Sequence, residues 1–257
     1  MIALPPAGVL TPVTDRAALL LAPNPGPMTL DGTNTWLLRE PDSSDVVIVD
    51  PGPDDAGHIA RLVSDAEELD AHIVAIVLTH DHPDHVDGAR SLAELTRAPV
   101  KLLRDRTLRV GMQLIGDVEV GVIATPGHTA DSISIQIIAD DAVITGDTVL
   151  GRGSTVVAYP DGNLADYFAS LDSVRRLIDG GVTTVLPGHG PVVTEAAAAV
   201  DAYIAHRLRR LEQIRAAQAA GATTVDELLD TVYADVPSEV RFAAAASVMA
   251  QLEFLAS

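Results

Sequence analysis

Cysteine is absent from all 257 residues. Disulfides and thiolate metal ligands are excluded with it, so any metal site must rest on nitrogen and oxygen donors. Lysine is nearly absent as well, with Lys101 the only one. Against 36 Asp and Glu stand 17 Lys and Arg, a formal charge of −19. Such a surface opposes tight non-specific binding to nucleic acid, which needs clustered cations to neutralise phosphate. Double-stranded DNA is not an expected partner. No apolar run approaches the roughly 20 residues of a membrane-spanning helix. Residues 1–12 lack the basic and apolar regions of a secretion signal. The expectation is a cytoplasmic protein without a membrane partner. No repeat or low-complexity linker divides the chain, and nothing in it fixes an oligomeric state.

What is present is a regular alternation of strand and helix patterns. Strands are predicted over 18–22, 46–49, 73–78, 99–103, 118–124, 132–138, 142–145 and 184–186. Helices are predicted over 54–69, 86–95 and 164–178. The composition shifts at Thr194, after which only helices are expected. Thr194 would cap a long helix ended by Gly221. Thr224 would cap one over 225–233, and Ser238 one over 239–254. The predicted division is a catalytic domain over 1–194 and a helical cap over 195–257. That cap has five arginines and nine carboxylates, a net charge of −4 rather than the basic stripe of a DNA reader.

The most telling stretch is T-H-D-H-P-D-H at 79–85. It follows the apolar run 73–78, so the cluster falls at a strand's carboxyl end, where open α/β folds place their sites. His80, His82, Asp84 and His85 are ligand types suited to zinc and its neighbours. Three further polar residues follow glycines at predicted strand ends: His128, Asp147 and His189. Each Gly permits a tight turn and close backbone approach. Together these residues can supply two metal sites. His80, His82 and His128 complete one. Asp84, His85 and His189 form the other, with Asp147 able to bridge. An open position between the ions is left for water or hydroxide.

These motifs carry a family resemblance. T-H-D-H-P-D-H (79–85), T-P-G-H-T (125–129), T-G-D-T (145–148) and P-G-H-G (187–190) occur in the order of the metallo-β-lactamase superfamily, which the chain resembles over 18–193. The resemblance implies a four-layer αββα sandwich with two metals at one edge between the sheets. It gives His80, His82, Asp84, His85, His128, Asp147 and His189 the ligand roles argued above. Metallo-β-lactamases proper commonly use Cys in the second site or lack the bridging Asp. A chain with Asp147 and no Cys is similar instead to glyoxalase II and the tRNA 3′-processing nucleases. The segment 24–38, N-P-G-P-M-T-L-D-G-T-N-T-W-L-L, together with the helical tail, is similar to the β-lactamase-like-protein-2 group. Some members of that group are single-strand-specific endoribonucleases. They usually end in a winged-helix-like domain, of which the helices alone are expected here, because the chain stops where a β-wing would follow.

The function so implied is a binuclear zinc-dependent hydrolase using a metal-bridging hydroxide, with iron or manganese as alternative metals. Two cations lower the pKa of the bridging water, and Asp84 both ligates and orients the nucleophile. Two substrate classes stand open. Single-stranded RNA or another phosphodiester follows from the nearest resemblance. A small thioester or ester, as for glyoxalase II, follows from the ligand set and the acidic surface. Weak β-lactamase-like hydrolysis is a further alternative. Arg152, Ser154, Thr155 and Tyr159 fall in a loop after Asp147 that should overlie the metals. Thr33 and Asn34 are candidates to approach a substrate from the other side, or to bond backbone in a turn. His58 and His72 have no ligand context. His206 is read as an interdomain hydrogen-bonding residue or a proton shuttle.

Overall fold

A computed structural model describes residues 2, 4–157 and 159–256 of the protein. One sheet holds β1 (Thr11–Pro12), β2 (Ala17–Leu21), β3 (Asn34–Leu38), β4 (Asp45–Val49), β5 (His72–Val77) and β6 (Val100–Lys101), side by side in that order. The other holds β7 (Gly111–Ile115), β8 (Val118–Ala124), β9 (Ile133–Ile137), β10 (Ala142–Gly146) and β11 (Thr184–Pro187), also in chain order. The β4–β5, β5–β6 and β10–β11 pairs are parallel, and the rest are antiparallel. The helices are α1 (Ala56–Glu68), α2 (Pro83–Val86), α3 (Gly88–Thr96), α4 (Leu164–Asp179), α5 (Ala196–Ala219), α6 (Val225–Val232) and α7 (Arg241–Ala256).

Side-chain alternation explains the layering. In β4, Val47 and Val49 point into the cluster shared with the opposite sheet, while Val46 and Ile48 pack on the α1 and α3 side. In β10, Ala142 and Ile144 face the other sheet, and Val143 faces α4. Period-two alternation with apolar residues on both faces requires a helix layer outside each sheet. The result is the αββα sandwich that the resemblance implies. The tail helices α6 and α7 have their own cluster around Leu228, Leu229 and Val248. Helix α5 belongs to both: Val200, Tyr203 and Leu211 pack with α4, and Ile214 and Ala217 with the tail.

Several boundaries differ from the sequence reading. The helix expected over 86–95 is two, α2 and α3. Pro83 starts the first, since a proline suits the first helical position. Helix α5 begins after Glu195 rather than at Thr194. Its successor, capped as expected by Thr224, closes a full capping box with Glu227. The last helix opens with a 3-10 turn over Ser238–Val240, preceded by Pro237. β7 is an edge strand with Met112 and Leu114 exposed, and no periodicity announces it.

Candidate metal centre and substrate cleft

All the ligand-type residues follow strands at one edge of the sandwich. Asp50 follows β4, the 79–85 loop follows β5, and His128 lies beyond β8. Asp147 follows β10 and His189 follows β11. Three groups form there: His80, His82 and His128; His80, His85 and Asp147; Asp84, His85 and His189, with donor atoms within 4.8 Å of one another in each group. His82 Nδ1 stands 3.1 Å from His80 Nε2 and 2.9 Å from His128 Nε2, and His85 Nε2 is 3.2 Å from His189 Nε2. Two nitrogens each about 2.0–2.1 Å from one tetrahedral zinc would lie roughly 3.3 Å apart, close to these spacings. Asp147 lies between the groups. Its Oδ1 is 3.5 Å from His85 Nε2, and its Oδ2 is 3.5 Å from His189 Nε2 and 3.7 Å from His128 Nε2. Asp147 Oδ1 is buried with no hydrogen-bond partner. A buried carboxylate oxygen without a donor is costly, and a cation is the partner that the surrounding lone pairs also call for. The residues present therefore fit two divalent ions.

The imidazoles are aimed from behind. His85 Nδ1 donates to Asp50 at 2.8 Å, His128 Nδ1 to the Val156 carbonyl at 2.5 Å and His189 Nδ1 to the Gly32 carbonyl at 3.1 Å. His80 Nδ1 meets Thr79 Oγ1 at 3.0 Å. A hydrogen bond at one ring nitrogen fixes the tautomer and turns the other inward as a ligand. Asp50 is the hub, because it also accepts from the Thr79 amide at 2.8 Å and the Thr79 hydroxyl at 2.6 Å. The sequence reading did not single out Asp50. Its signal was a carboxylate at a strand end before Pro51-Gly52-Pro53. Glycine is required beside these ligands. A Cβ on Gly188 would lie 2.5 Å from Asp147 Oδ1 and 2.8 Å from His85 Cε1.

Charge in the centre divides along the same line. Burial drives the His80 pKa well below its usual value and that of His128 to about 4, leaving lone pairs free for a metal. Burial works against charge on His85 and His189 too, but the carboxylates outweigh it. Asp50 and Asp147 raise His85, and Asp147 and Asp84 raise His189 to about 9. The protons held there occupy the place of a cation, and metal binding displaces such protons. Burial alone would raise Asp84 and Asp147, yet His189 and His85 keep both carboxylates below their usual range.

In front of the centre is a cleft of two joined lobes. One, of about 250 Å³, touches His128 and Asp147 and is walled by Met28, Leu150, Val156 and, from the tail, Tyr233, Val240 and Ala243. The other, of about 230 Å³, touches His82, Asp84, His128 and Asp147 and opens past Tyr159 and Phe242. Tyr159 is thus at the mouth. Thr33 and Asn34 are elsewhere: both are fully buried and tied to backbone or to Asn24. Asn34 Nδ2 donates to the carbonyls of Pro187 and Gly190, at 2.9 Å each, and so clasps the turn that carries His189. Of the two roles weighed for this pair, the turn-binding one matches their contacts. Arg152 pairs with Asp31. His58 is buried in α1, 2.9 Å from Thr35 Oγ1, and His72 is exposed at the start of β5. His206 lines the larger lobe, where burial and its arginine neighbours lower its pKa to about 4. The tail residues of the cleft, Arg207, Tyr233 and Phe242 among them, carry no local motif that could have marked them.

Fold and centre together are those of a metal-dependent hydrolase, and the comparisons agree. The chain belongs to the metallo-beta-lactamase superfamily, whose family profile matches residues 28–112 and 111–189. A second profile, the beta-lactamase associated winged helix domain, matches 224–257. Among curated proteins, the Beta-lactamase-like protein 2 homolog of Caenorhabditis elegans is 36% identical over 95% of this chain and 85% of its own length. An atrochrysone carboxyl ACP thioesterase of Aspergillus chevalieri is 34% identical over 92% of this chain and 79% of its own. A beta-lactamase domain protein from Burkholderia ambifaria superposes with a TM-score of 0.85 at 25% identity, covering 98% of this chain and 89% of that one. No helix among the described residues is long and apolar enough to cross a membrane.

Proposed function

We propose that this chain is a binuclear hydrolase of small thioesters or esters. Two ions, zinc foremost, are held by His80, His82, Asp84, His85, His128, Asp147 and His189. The observation that carries the substrate class is the cleft. Its larger lobe, about 250 Å³, is walled chiefly by apolar side chains and reaches His128 and Asp147. That size lies just under the roughly 300–1,000 Å³ of small-molecule pockets and suits an acyl group. The likeness to an ACP thioesterase supports the same reading.

When bound, the two ions supply a water acidified to near-neutral pKa and polarise the substrate oxygen. The chain's own residues do the rest. Asp84 is half-buried at the cleft, its side chain 28% exposed, and His189 Nε2 at 3.1 Å fixes its Oδ2. Its carboxylate orients the attacking water and accepts the proton. One water is consumed. Its oxygen forms the new bond to the acyl carbon, the carbon–sulfur or carbon–oxygen bond breaks, and the proton passes to the leaving thiolate or alkoxide. The apolar wall excludes competing water and strengthens the electrostatics within.

Cleavage of single-stranded RNA is the second reading. It draws on the likeness to the β-lactamase-like-protein-2 group and on Arg152, Arg209 and Arg210 near the cleft. Those arginines are partly committed: Arg152 pairs with Asp31, and Arg210 donates to Val232 O and Gln213. The test is a panel of S-lactoylglutathione, butyryl-N-acetylcysteamine, a single-stranded RNA and nitrocefin, before and after chelation and zinc reloading. Thioester turnover that chelation removes and zinc restores is the expected result. RNA cleavage without thioester turnover would overturn the proposal in favour of the second reading.

A further inference from the structure

Arg207 is out of place for a surface helix. It lies in the middle of α5, in a run of cations, His206-Arg207-Leu208-Arg209-Arg210, yet it is only 3% exposed. Its Nη2 donates to the Thr155 carbonyl, and its guanidinium lies 5.1 Å from the centroid of the Tyr167 ring. Its Nε is buried with no hydrogen-bond partner. Several exposed or half-buried arginines have acids: Arg16 has Glu40 and Asp140, Arg175 has Asp179 and Asp201, Arg241 has Asp230. Arg207 forms no ion pair among the described residues, although it is one of the residues lining the larger cleft lobe together with Asp147. Burying a charge without a counter-ion is strongly unfavourable, and a fold that needed only packing at this place would use an apolar residue. The lobe as a whole is short of acids, although Arg152 is paired with Asp31 outside it. Its charged lining is Arg152, Arg207 and Arg210 against Asp147 alone, on a chain of formal charge −19. Cations gathered in an apolar cleft focus a positive potential there.

We propose that Arg207 is the anchor for an anionic group of the substrate, and that this group is a carboxylate on the acyl part of the thioester or ester. The inference rests on the hydrolase reading above and narrows its substrate to acyl groups that carry a second, free carboxylate. The planar guanidinium fork matches a carboxylate better than an ammonium would, and the low-polarity wall strengthens the pair. With one end of the acyl group held by Arg207 and the other presented at His128 and Asp147, the scissile bond is positioned by two fixed points rather than by shape alone. Arg207 is thus a specificity-determining residue and takes no part in bond breaking. It also explains why α5, a helix of the tail, penetrates to the catalytic edge.

The test compares two acyl thioesters of equal chain length, succinyl- and butyryl-N-acetylcysteamine, on the zinc-loaded full chain. The parent protein should show the lower KM for the succinyl compound. Arg207→Gln should raise the succinyl KM by about 30-fold or more and leave the butyryl KM within about 3-fold, with melting temperature kept or raised. Arg207→Lys retains charge without the fork and should fall between. Calorimetric titration with succinate supplies a reading free of turnover: binding to the parent protein, and its loss in Arg207→Gln. Equal KM values for the two thioesters in the parent protein, with no succinate binding, would overturn the inference and leave the hydrolase reading standing. An equal effect of Arg207→Gln on both substrates, with a lower melting temperature, would reduce Arg207 to a packing role and also overturn it. If neither thioester nor S-lactoylglutathione is turned over, the thioester reading fails, and succinate binding by parent and variant still decides the anion site. Should Arg207→Gln not fold, the parent protein's substrate preference and its succinate binding decide between these outcomes.

Discussion

The two sides of the cleft are built on opposite rules. On the metal side, four of the five ligand imidazoles are hydrogen-bonded from behind, to Asp50, Thr79, Val156 and Gly32. Those four answer to fixed neighbours, which lie in the loops at the ligand edge. On the tail side, the wall is made of side chains such as Val240, Ala243 and Phe242, which touch the cavity and little of the polar network. Its polar members on α5 are His206, Arg207 and Arg210, and of these Arg207 alone is fully buried. On the proposed function, the difference would divide chemistry and selectivity between the sandwich and the tail. Changes on the first side should alter kcat and metal content, and changes on the second should alter KM.

The comparison is broken most directly at His82. Its Nδ1 lies within 3.1 Å of both His80 and His128 nitrogens, so His82→Ala removes the shared corner of one metal group. Turnover should fall by at least about 10²–10³-fold, the scale for losing a group that acts on the reacting atoms. Metal analysis should drop from about two ions per chain toward one. A variant that kept full metal content and activity would remove the ground for calling this side the chemical one. Asp50→Asn reaches the same side from one step back. Asp50 holds Thr79 and His85 by three hydrogen bonds. Zinc affinity measured against a competing chelator should weaken by about 10–100-fold, the usual cost of losing such support. An unchanged affinity would show that His85 is oriented by packing alone.

The division also explains what could be read from the chain. The ligand edge was legible because metal chemistry demands particular side chains, and strand ends place them at intervals marked by Gly and by apolar runs. Thr79 to His85 and the turns at His128, Asp147 and His189 all fall where strands stop. The sandwich was legible for the same reason: β4 and β10 show apolar residues on both faces, which only a covered sheet tolerates. Asp50 escaped because a supporting carboxylate has no motif of its own, and its partners are 29 and 35 residues away in sequence. Thr33 and Asn34 lay in a segment singled out by resemblance, but resemblance does not say which way a side chain points. Asn34 bonds backbone 153 and 156 positions ahead. The tail wall was illegible because its membership depends on how α5 and α7 lie across the sandwich. In sequence, Arg207 is one cation among several, and only burial sets it apart.

A smaller effect tests whether the bracing extends beyond the ligands. His58 is 3% exposed, bonded to Thr35, and burial lowers its pKa from 6.5 to about 4. The sign follows from proton uptake. Below pH 6.5 the unfolded chain binds a proton at this site that the folded protein refuses, so stability falls as pH drops from 6.5 toward 4. It is level in this contribution above and below that window. Over the window the loss is about 3 kcal/mol, at roughly 1.4 kcal/mol per pH unit. Urea unfolding of chelated protein at pH 7 and pH 4.5 should therefore show a smaller acid loss in His58→Gln than in the parent protein. An identical loss in both would mean that His58 is protonated in the folded state, and that this part of the sandwich tolerates charge.

The smallest effect belongs to the rim of the tail wall. Phe242 is 65% exposed and lines the outer lobe beside Tyr159 and Met28. Its ring has little to lose on truncation in the free protein, so Phe242→Ala should change stability by no more than about 0.5 kcal/mol. In the complex, a substrate reaching past the mouth would cover part of the ring. Covering about a third to a half of an aromatic side chain is worth about 1 kcal/mol, or roughly 5-fold in KM. That rise should appear for acyl or leaving groups long enough to reach the mouth and vanish for short ones, with kcat unchanged throughout. Steady-state kinetics on an acyl-length series measures both quantities at once. A fall in kcat at constant KM would mean that the tail shapes the reacting centre itself, and the division between a chemical side and a selective side would have to be given up.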